Sequence, residues 1–422
     1  MFKDESSNQS MLRAFLAIIT TGSVCATVEP RSWMSDMTRA DSRFGKLSIE
    51  DLVLPGSHDT LSYELSDELT ELPVTPPAVG SLVRSFAVTQ TINITQQLDA
   101  GIRFVDLRVM KVPDGEWYGT HTVRTEKPAL FYVREIVQWL SRSPGEFLVV
   151  FVSRHGNECL TGHDQYPHVS AAEKQGFWRE LTSLVGRFAL PASYLKLGFE
   201  DLRLLRRSGM FLAVSDFAMM TNNSSFAIDA CVFLNNTGGG GRPSRIQYET
   251  DMAYIRDMMS PTRGPRYYLR SIASAASREE VIARLIVNTS IPAKWRALAY
   301  SDCVHSYGLP MQSSFCAADL PSLGAFCNYY NRRVLLRYLN SGAHPNAFYA
   351  DMITVGGGFK VSGESDFDYF GLIAVMNVNT LCATGCSAEL ISFAASRQAA
   401  WSVRWTNSSK LGLTSVSPQS WS

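Results

Sequence analysis

Phe147-Leu-Val-Val-Phe-Val152 is an unbroken run of six apolar residues, three of them β-branched. A run this short and solid has no polar side to turn toward water, so it reads as a strand covered on both faces. Comparable runs recur at Asp51-Leu-Val-Leu54 before Pro55-Gly56, Phe104–Met110 before Pro113-Asp114-Gly115, Met210–Val214, Tyr267–Leu269 and Asn346–Tyr349. Glu116–Thr120 adds a further strand that leads to His121. Between them, Leu130–Leu140 and Gly176–Leu190 have the spacing of amphipathic helices. Buried strands alternating with helices give an α/β protein with a parallel sheet. Their repetition over roughly 300 residues favours a single (β/α) TIM-like barrel, with loop insertions and scope for distortion, over an open doubly wound sheet. The barrel is expected over residues 45–400, followed by a tail at 401–422.

Lys+Arg and Asp+Glu are both 39, so no electrostatic case exists for nucleic acid as a partner. Gly238–Gly241 lacks the Lys-Ser/Thr of a phosphate-cradling loop and carries no nucleotide role. At the start of the chain, the apolar run Ala14–Ile19 leads to Val24-Cys25-Ala26, the pattern of a signal peptide over residues 1–26 and hence of a secreted protein. That run is far below the ~20 apolar residues a membrane span needs. Glycosylation sequons at Asn93, Asn222, Asn223, Asn235, Asn288 and Asn407 agree with export. Cys159, Cys231, Cys303, Cys316, Cys327, Cys382 and Cys386 remain beyond the cleavage point, an odd number grouped toward the C-terminus. No Cys-x-x-Cys pair exists, so loop stapling fits them better than zinc. His155, Glu158, His163 and His168 lie among Asp164 and Pro167 and read as surface loop.

The ionisable residues fall where the strands end. His58-Asp59 follows the first strand, Asp106 and Arg108 lie in the second, and His121 closes the next. Arg154, Asp216 and Asp351 end the Phe147, Met210 and Asn346 strands. Singly, each is a surface group or half of an ion pair. In this order, at the ends where barrel folds assemble active sites, they point to one site.

Leu54-Pro-Gly-Ser-His-Asp-Thr60, Gly101-Ile-Arg-Phe-Val-Asp-Leu-Arg108 and Trp117-Tyr-Gly-Thr-His121 together resemble the X-domain of phosphoinositide-specific phospholipases C. Pro345–Asp351 resembles a later strand of that domain. The resemblance is firm over about residues 45–155 and thinner to about 355, and the remaining ~65 residues match nothing recognisable. It implies a phosphodiesterase in which an inositol 2-hydroxyl attacks the adjacent phosphorus and diacylglycerol leaves. His58 would be the general base and His121 the general acid partnered by Asp59. Asp351 would orient His58, and Arg108 would neutralise charge on the phosphoryl oxygens. The signalling members bind calcium through acidic residues on this strand, one of them where Arg108 stands. Asp106 alone is too few for a cation that takes 6–8 oxygens. The resemblance therefore points to the metal-free bacterial and X-domain-only subgroup, with no cofactor. Asp106 and Arg154 would contact substrate, Arg154 standing where bacterial members carry a lysine near the sugar. Asp216 departs from the family, which has an arginine there.

The partners implied are a phospholipid or inositol phosphodiester and, transiently, a membrane surface, with the protein a monomer. Leu69–Phe86, with Pro73, Pro76 and Pro77, is a long insertion whose Leu82, Val83 and Phe86 suit either a bilayer contact or a packed loop. The alternatives are a same-fold enzyme for glycosylphosphatidylinositol anchors or another phospholipid, and a catalytically retired secreted binding protein. The presence of both His58 and His121 argues against the last.

Overall fold

The computed structural model describes residues 28–71, 74–112, 115–154, 166, 168–216, 225–230, 234–236, 252–253, 255–258, 267–272, 335, 338–339, 341, 345–351, 353, 369–382 and 387–395. The signal sequence, the Gly238–Gly241 loop, the tail at 401–422, His155, Glu158, His163, four of the sequons (Asn222, Asn223, Asn288, Asn407) and every cysteine but Cys382 lie outside them.

The apolar runs form parallel strands of one sheet. In chain order these are β1 (Leu54–Ser57), β3 (Phe104–Lys111), β6 (Phe147–Ser153), β7 (Gly209–Val214), β8 (Ala227–Asp229), β9 (Leu234–Asn236), β10 (Tyr267–Ile272) and β11 (Ala347–Ala350). They lie in the order β8-β7-β6-β3-β1-β11-β10-β9, each beside its neighbour in the chain, with the last strand returning to the first. That cyclic order is the wrapping of a (β/α) barrel. Among the described residues no pairing joins β8 to β9. All seven residues of β6 are buried, as its composition requires, with Phe104↔Val149 and Val149↔Phe211 fixing its register on both sides.

β1 is wedged between β3 and β11, and Gly56 shows how tightly. A Cβ there would lie 2.7 Å from the Phe348 carbonyl oxygen and 3.0 Å from the Phe104 ring, so only glycine fits between the two neighbours. The helix Tyr369–Cys382, apolar nearly all round, covers this strand. Its Asn377 side chain accepts from Val53 N–H (2.8 Å) and donates to Val53 C=O (2.9 Å), acting as a short extra strand.

Three features differ from the sequence expectation. The Trp117–His121 segment is not a barrel strand. It is β4, antiparallel to β3 and joined to β5 (Val123–Pro128) and β2 (Leu65–Leu69) in a ribbon. Lys111 of β3 pairs with Trp117 of β4, and Val112 N–H donates to the Glu116 carbonyl at 2.9 Å, so the connection is too short for the helix a parallel crossover needs. The core also begins before residue 45: Trp33, Met34, Met37 and Phe44 are wholly buried in the main hydrophobic cluster. Arg103 and Glu146, both buried, lock that N-terminal segment in place. Arg103 reaches the carbonyls of Pro30 and Arg31, and Glu146 accepts from Ser35 N–H at 3.0 Å. Finally, the Leu69–Phe86 insertion, which begins at the end of β2, holds a helix, α2 (Pro77–Ser85, after α1 at Trp33–Ala40), and is not loop alone. Phe86 is buried and Val83 packs against a small cluster of Leu65, Ala87 and Val123, so Phe86 faces the protein and not a bilayer.

Candidate active site

Three adjacent strands deliver one group. His58 follows β1 directly, Asp351 follows β11, and Asp106 and Arg108 sit two residues apart on β3, hence on one side of it. His58 Nδ1 lies 2.6 Å from Asp351 Oδ1. Its Nε2 lies 2.7 Å from an Arg108 Nη. Arg108 in turn pairs with Asp59 Oδ1 at 2.5 Å and Asp106 Oδ2 at 3.0 Å. The Tyr349 ring stands beside the imidazole, centroids 5.7 Å apart.

The turn after β1 makes this possible. Asp59 adopts a φ of 44°, a left-handed conformation that aspartate tolerates better than most residues. Its N–H donates to Asp106 Oδ2 (3.1 Å), and Thr60 N–H to the Asp106 carbonyl (3.0 Å). The chain thereby bends across β3 and buries the Asp59 carboxylate between the two histidines.

His121 arrives by a different route, on the antiparallel ribbon. Its Nδ1 is 3.3 Å from Asp59 Oδ2, which is also 3.5 Å from His58 Nε2. A second acceptor, the Ala87 carbonyl, lies 2.8 Å from the same Nδ1. With two acceptors beside it, Nδ1 is the nitrogen that carries the proton of the neutral ring. The two rings stand nearly perpendicular, with centroids 6.2 Å apart.

Three carboxylates and one guanidinium leave the group short of positive charge. Burial works against a charged His58, yet Asp59 and Asp351 outweigh both it and the opposing Arg108, and the ring's pKa is raised. Arg108 is likewise held charged by Asp106 and Asp59 in spite of burial. A guanidinium offers no acceptor, so the Arg108 contact requires an unprotonated Nε2. Protonation of that nitrogen and the arginine contact exclude each other.

His58, Asp59 and Asp106 have the reach to converge on a cation, their potential ligand atoms lying within 4.8 Å of one another. Arg108 already bonds to all three. A metal would have to displace a paired guanidinium, so these residues do not fit a resident ion.

The resemblance places Asp106 at the substrate, and the structure places it elsewhere. It is wholly buried and uses one oxygen for Arg108 and the Asp59 N–H, so it holds the arginine from behind. Arg154 lies just past β6 and pairs with Glu71 of the insertion. Asp216, just past β7, pairs with the buried Lys174 at 3.1 Å. His168 is exposed. Ala87, which contacts His121, and Thr89 and Gln90, which contact the His58 segment, escape sequence reasoning. Thr89-Gln90-Thr91 reads as an ordinary polar loop and offers no signal of this.

No family model matches the chain. Among curated proteins, PI-PLC X domain-containing protein 1 of Mus musculus is 33% identical over 132 residues, 28% of this chain and 37% of that protein. PI-PLC X domain-containing protein 3 of Danio rerio is 36% identical over 103 residues, 21% of this chain and 31% of that one. The matched stretches span less than half the length of these relatives. Among solved structures, the phosphatidylinositol-specific phospholipase C from Listeria monocytogenes gives a TM-score of 0.48 at 15% identity, over 82% of this chain and 98% of that chain. A point mutant of the phosphatidylinositol-specific phospholipase C from Staphylococcus aureus gives 0.49 at 12%, over 88% and 98%. His58-Asp59, Arg108 and His121 thus gather around one carboxylate, and part of the chain is similar in sequence to the PI-PLC X domain-containing proteins.

Proposed function

We propose that the chain is a phosphodiesterase that cleaves a phosphatidylinositol-type lipid by intramolecular attack of the inositol 2-hydroxyl, with histidines as base and acid and an arginine where calcium-dependent members hold the metal. One observation carries this: His58 and His121 contact the same Asp59 oxygen from rings 6.2 Å apart, with Arg108 beside them. That separation suits two imidazoles working on opposite bonds of a single phosphorus. His58 Nε2 takes the hydroxyl proton while Asp351, on Nδ1, stabilises the imidazolium. Arg108 leaves Nε2 as that proton arrives and turns to the non-bridging oxygens, where negative charge is growing. His121 Nε2 protonates the departing glycerol oxygen, its Nδ1–H held by Asp59 and Ala87. The products are diacylglycerol and a 1,2-cyclic inositol phosphate.

Export belongs to the same proposal and is supported by the leader-like residues 1–26 and the sequons. Among the described residues no helix is long and apolar enough to cross a membrane.

The test is incubation of the full chain with separate vesicles of phosphatidylinositol, phosphatidylcholine and a glycosylphosphatidylinositol, with products read by phosphorus NMR. Cyclic inositol phosphate from phosphatidylinositol is the expected product. Phosphocholine, or no cleavage of any inositol lipid, would overturn the reading.

A further inference from the structure

The two strands that carry His58 and Asp351 stop pairing just where the chemistry begins. The register of β1 with β11 ends at Ser57↔Ala350, and a final backbone bond runs from His58 N–H to the Ala350 carbonyl at 2.9 Å. Beyond that bond the strand ladder no longer sets the spacing of His58 and Asp351.

The side chain of Gln90 sits at this point, wholly buried. Its amide NH2 donates to the His58 carbonyl at 3.0 Å and to the Ala350 carbonyl at 2.8 Å. Its oxygen accepts from Ile353 N–H at 3.4 Å, on the far side of Asp351. Thr89 adds a hydroxyl shared between the carbonyls of His58 (3.0 Å) and Asp59 (3.1 Å). One amide therefore brackets Asp351 in sequence and ties it to the residue whose imidazole it meets.

We propose that Gln90 is a positioning residue for the His58–Asp351 pair: by bridging the strand-end carbonyls of His58 and Ala350, its amide fixes the gap across which imidazole and carboxylate meet. This rests on reading His58 as the reacting base. A bland role is available, because buried carbonyls at a sheet edge need donors in any protein. The two roles differ in what they predict. Filling an acceptor stabilises the fold and leaves the dyad's coupling alone, whereas positioning acts on the coupling.

Gln90→Met keeps the length of the side chain and removes both donors. In full-length protein with labelled histidines, NMR reads the Nδ1 proton of His58, identified by its absence in His58→Gln, and the titration of that ring. The groups facing the ring are Asp351, Asp59, Arg108, His121 and Tyr349, and none of them is altered. The short bond to Asp351 places the native proton far downfield. In Gln90→Met that resonance moves upfield or broadens, and the His58 midpoint falls back toward the ordinary imidazole range. On inositol lipid, kcat drops about ten- to a hundredfold while KM changes no more than about twofold. An unmoved proton resonance with an unmoved midpoint overturns the proposal, whatever happens to activity. Should Gln90→Met fail to fold, Gln90→Asn, whose shorter amide cannot span both carbonyls, is read the same way. The NMR measurements need no substrate, so they stand or fall apart from the choice of lipid.

Discussion

His58 and His121 meet at one carboxylate but rest on unlike supports. His58 stands on parallel strands packed on both sides, its side chain 11% exposed and gripped by Asp351 and Arg108. His121 stands at the end of an antiparallel ribbon, 28% exposed, and is held by a backbone carbonyl and the shared Asp59. On the proposed reading, the barrel strands supply the base beside its electrostatic partner. On that reading, the ribbon supplies the acid, on the more exposed of the two histidines. The difference teaches that the site is divided between core and ribbon, so changes on the two sides should have separable consequences.

The largest separation is expected from the leaving group. His58→Asn and His121→Asn should each lower cleavage of phosphatidylinositol by about 10²- to 10⁴-fold, the usual contribution of a positioned acid or base. Replacing the glycerol lipid with an inositol aryl phosphodiester, whose phenolate leaves without a proton, should restore most of the rate to His121→Asn and little to His58→Asn. Equal restoration in both would dissolve the division between base and acid.

A smaller effect separates the core partners by pH. A base must be unprotonated to act, and the raised pKa of His58 sets the acid limb of the rate profile above that of an ordinary imidazole. In Asp351→Asn one of the carboxylates that raise it is gone, so the limb should move to lower pH while the plateau rate falls. The sign for stability follows the same group. A raised folded-state pKa stabilises below the unfolded-state value, and that contribution is lost as pH rises through the folded-state value. Native protein should therefore lose part of its stability across this window, and Asp351→Asn should lose less. A kinetic limb that stays in place in Asp351→Asn would mean that another group governs it.

Much of the core half is legible in the sequence. Phe147–Val152 can hardly be anything but a buried strand, and His58, Arg108 and Asp351 fall at or near the ends of strands of the same kind. The ribbon is not legible, because Trp117–His121 looks like any other strand. Only the shortness of the stretch between Lys111 and Trp117 distinguishes a hairpin from a crossover, and β4 itself carries no helix signal either way. Asp106 invites a substrate role because carboxylates in a site usually do, and its burial behind Arg108 depends on the turn at Asp59. Gln90 is invisible for a different reason: its partners are backbone carbonyls, which have no sequence identity.

The central claim is that Arg108 supplies the positive charge that a metal would otherwise provide. It is tested by measuring phosphatidylinositol cleavage by native protein and Arg108→Lys, first in EDTA and then with calcium added in excess. The native rate should be unchanged by either treatment. Arg108→Lys should keep the charge but lose the fork that reaches two acceptors, and so retain only part of an effect worth about 10²- to 10³-fold. Native activity that disappears in EDTA and returns with calcium would contradict the account.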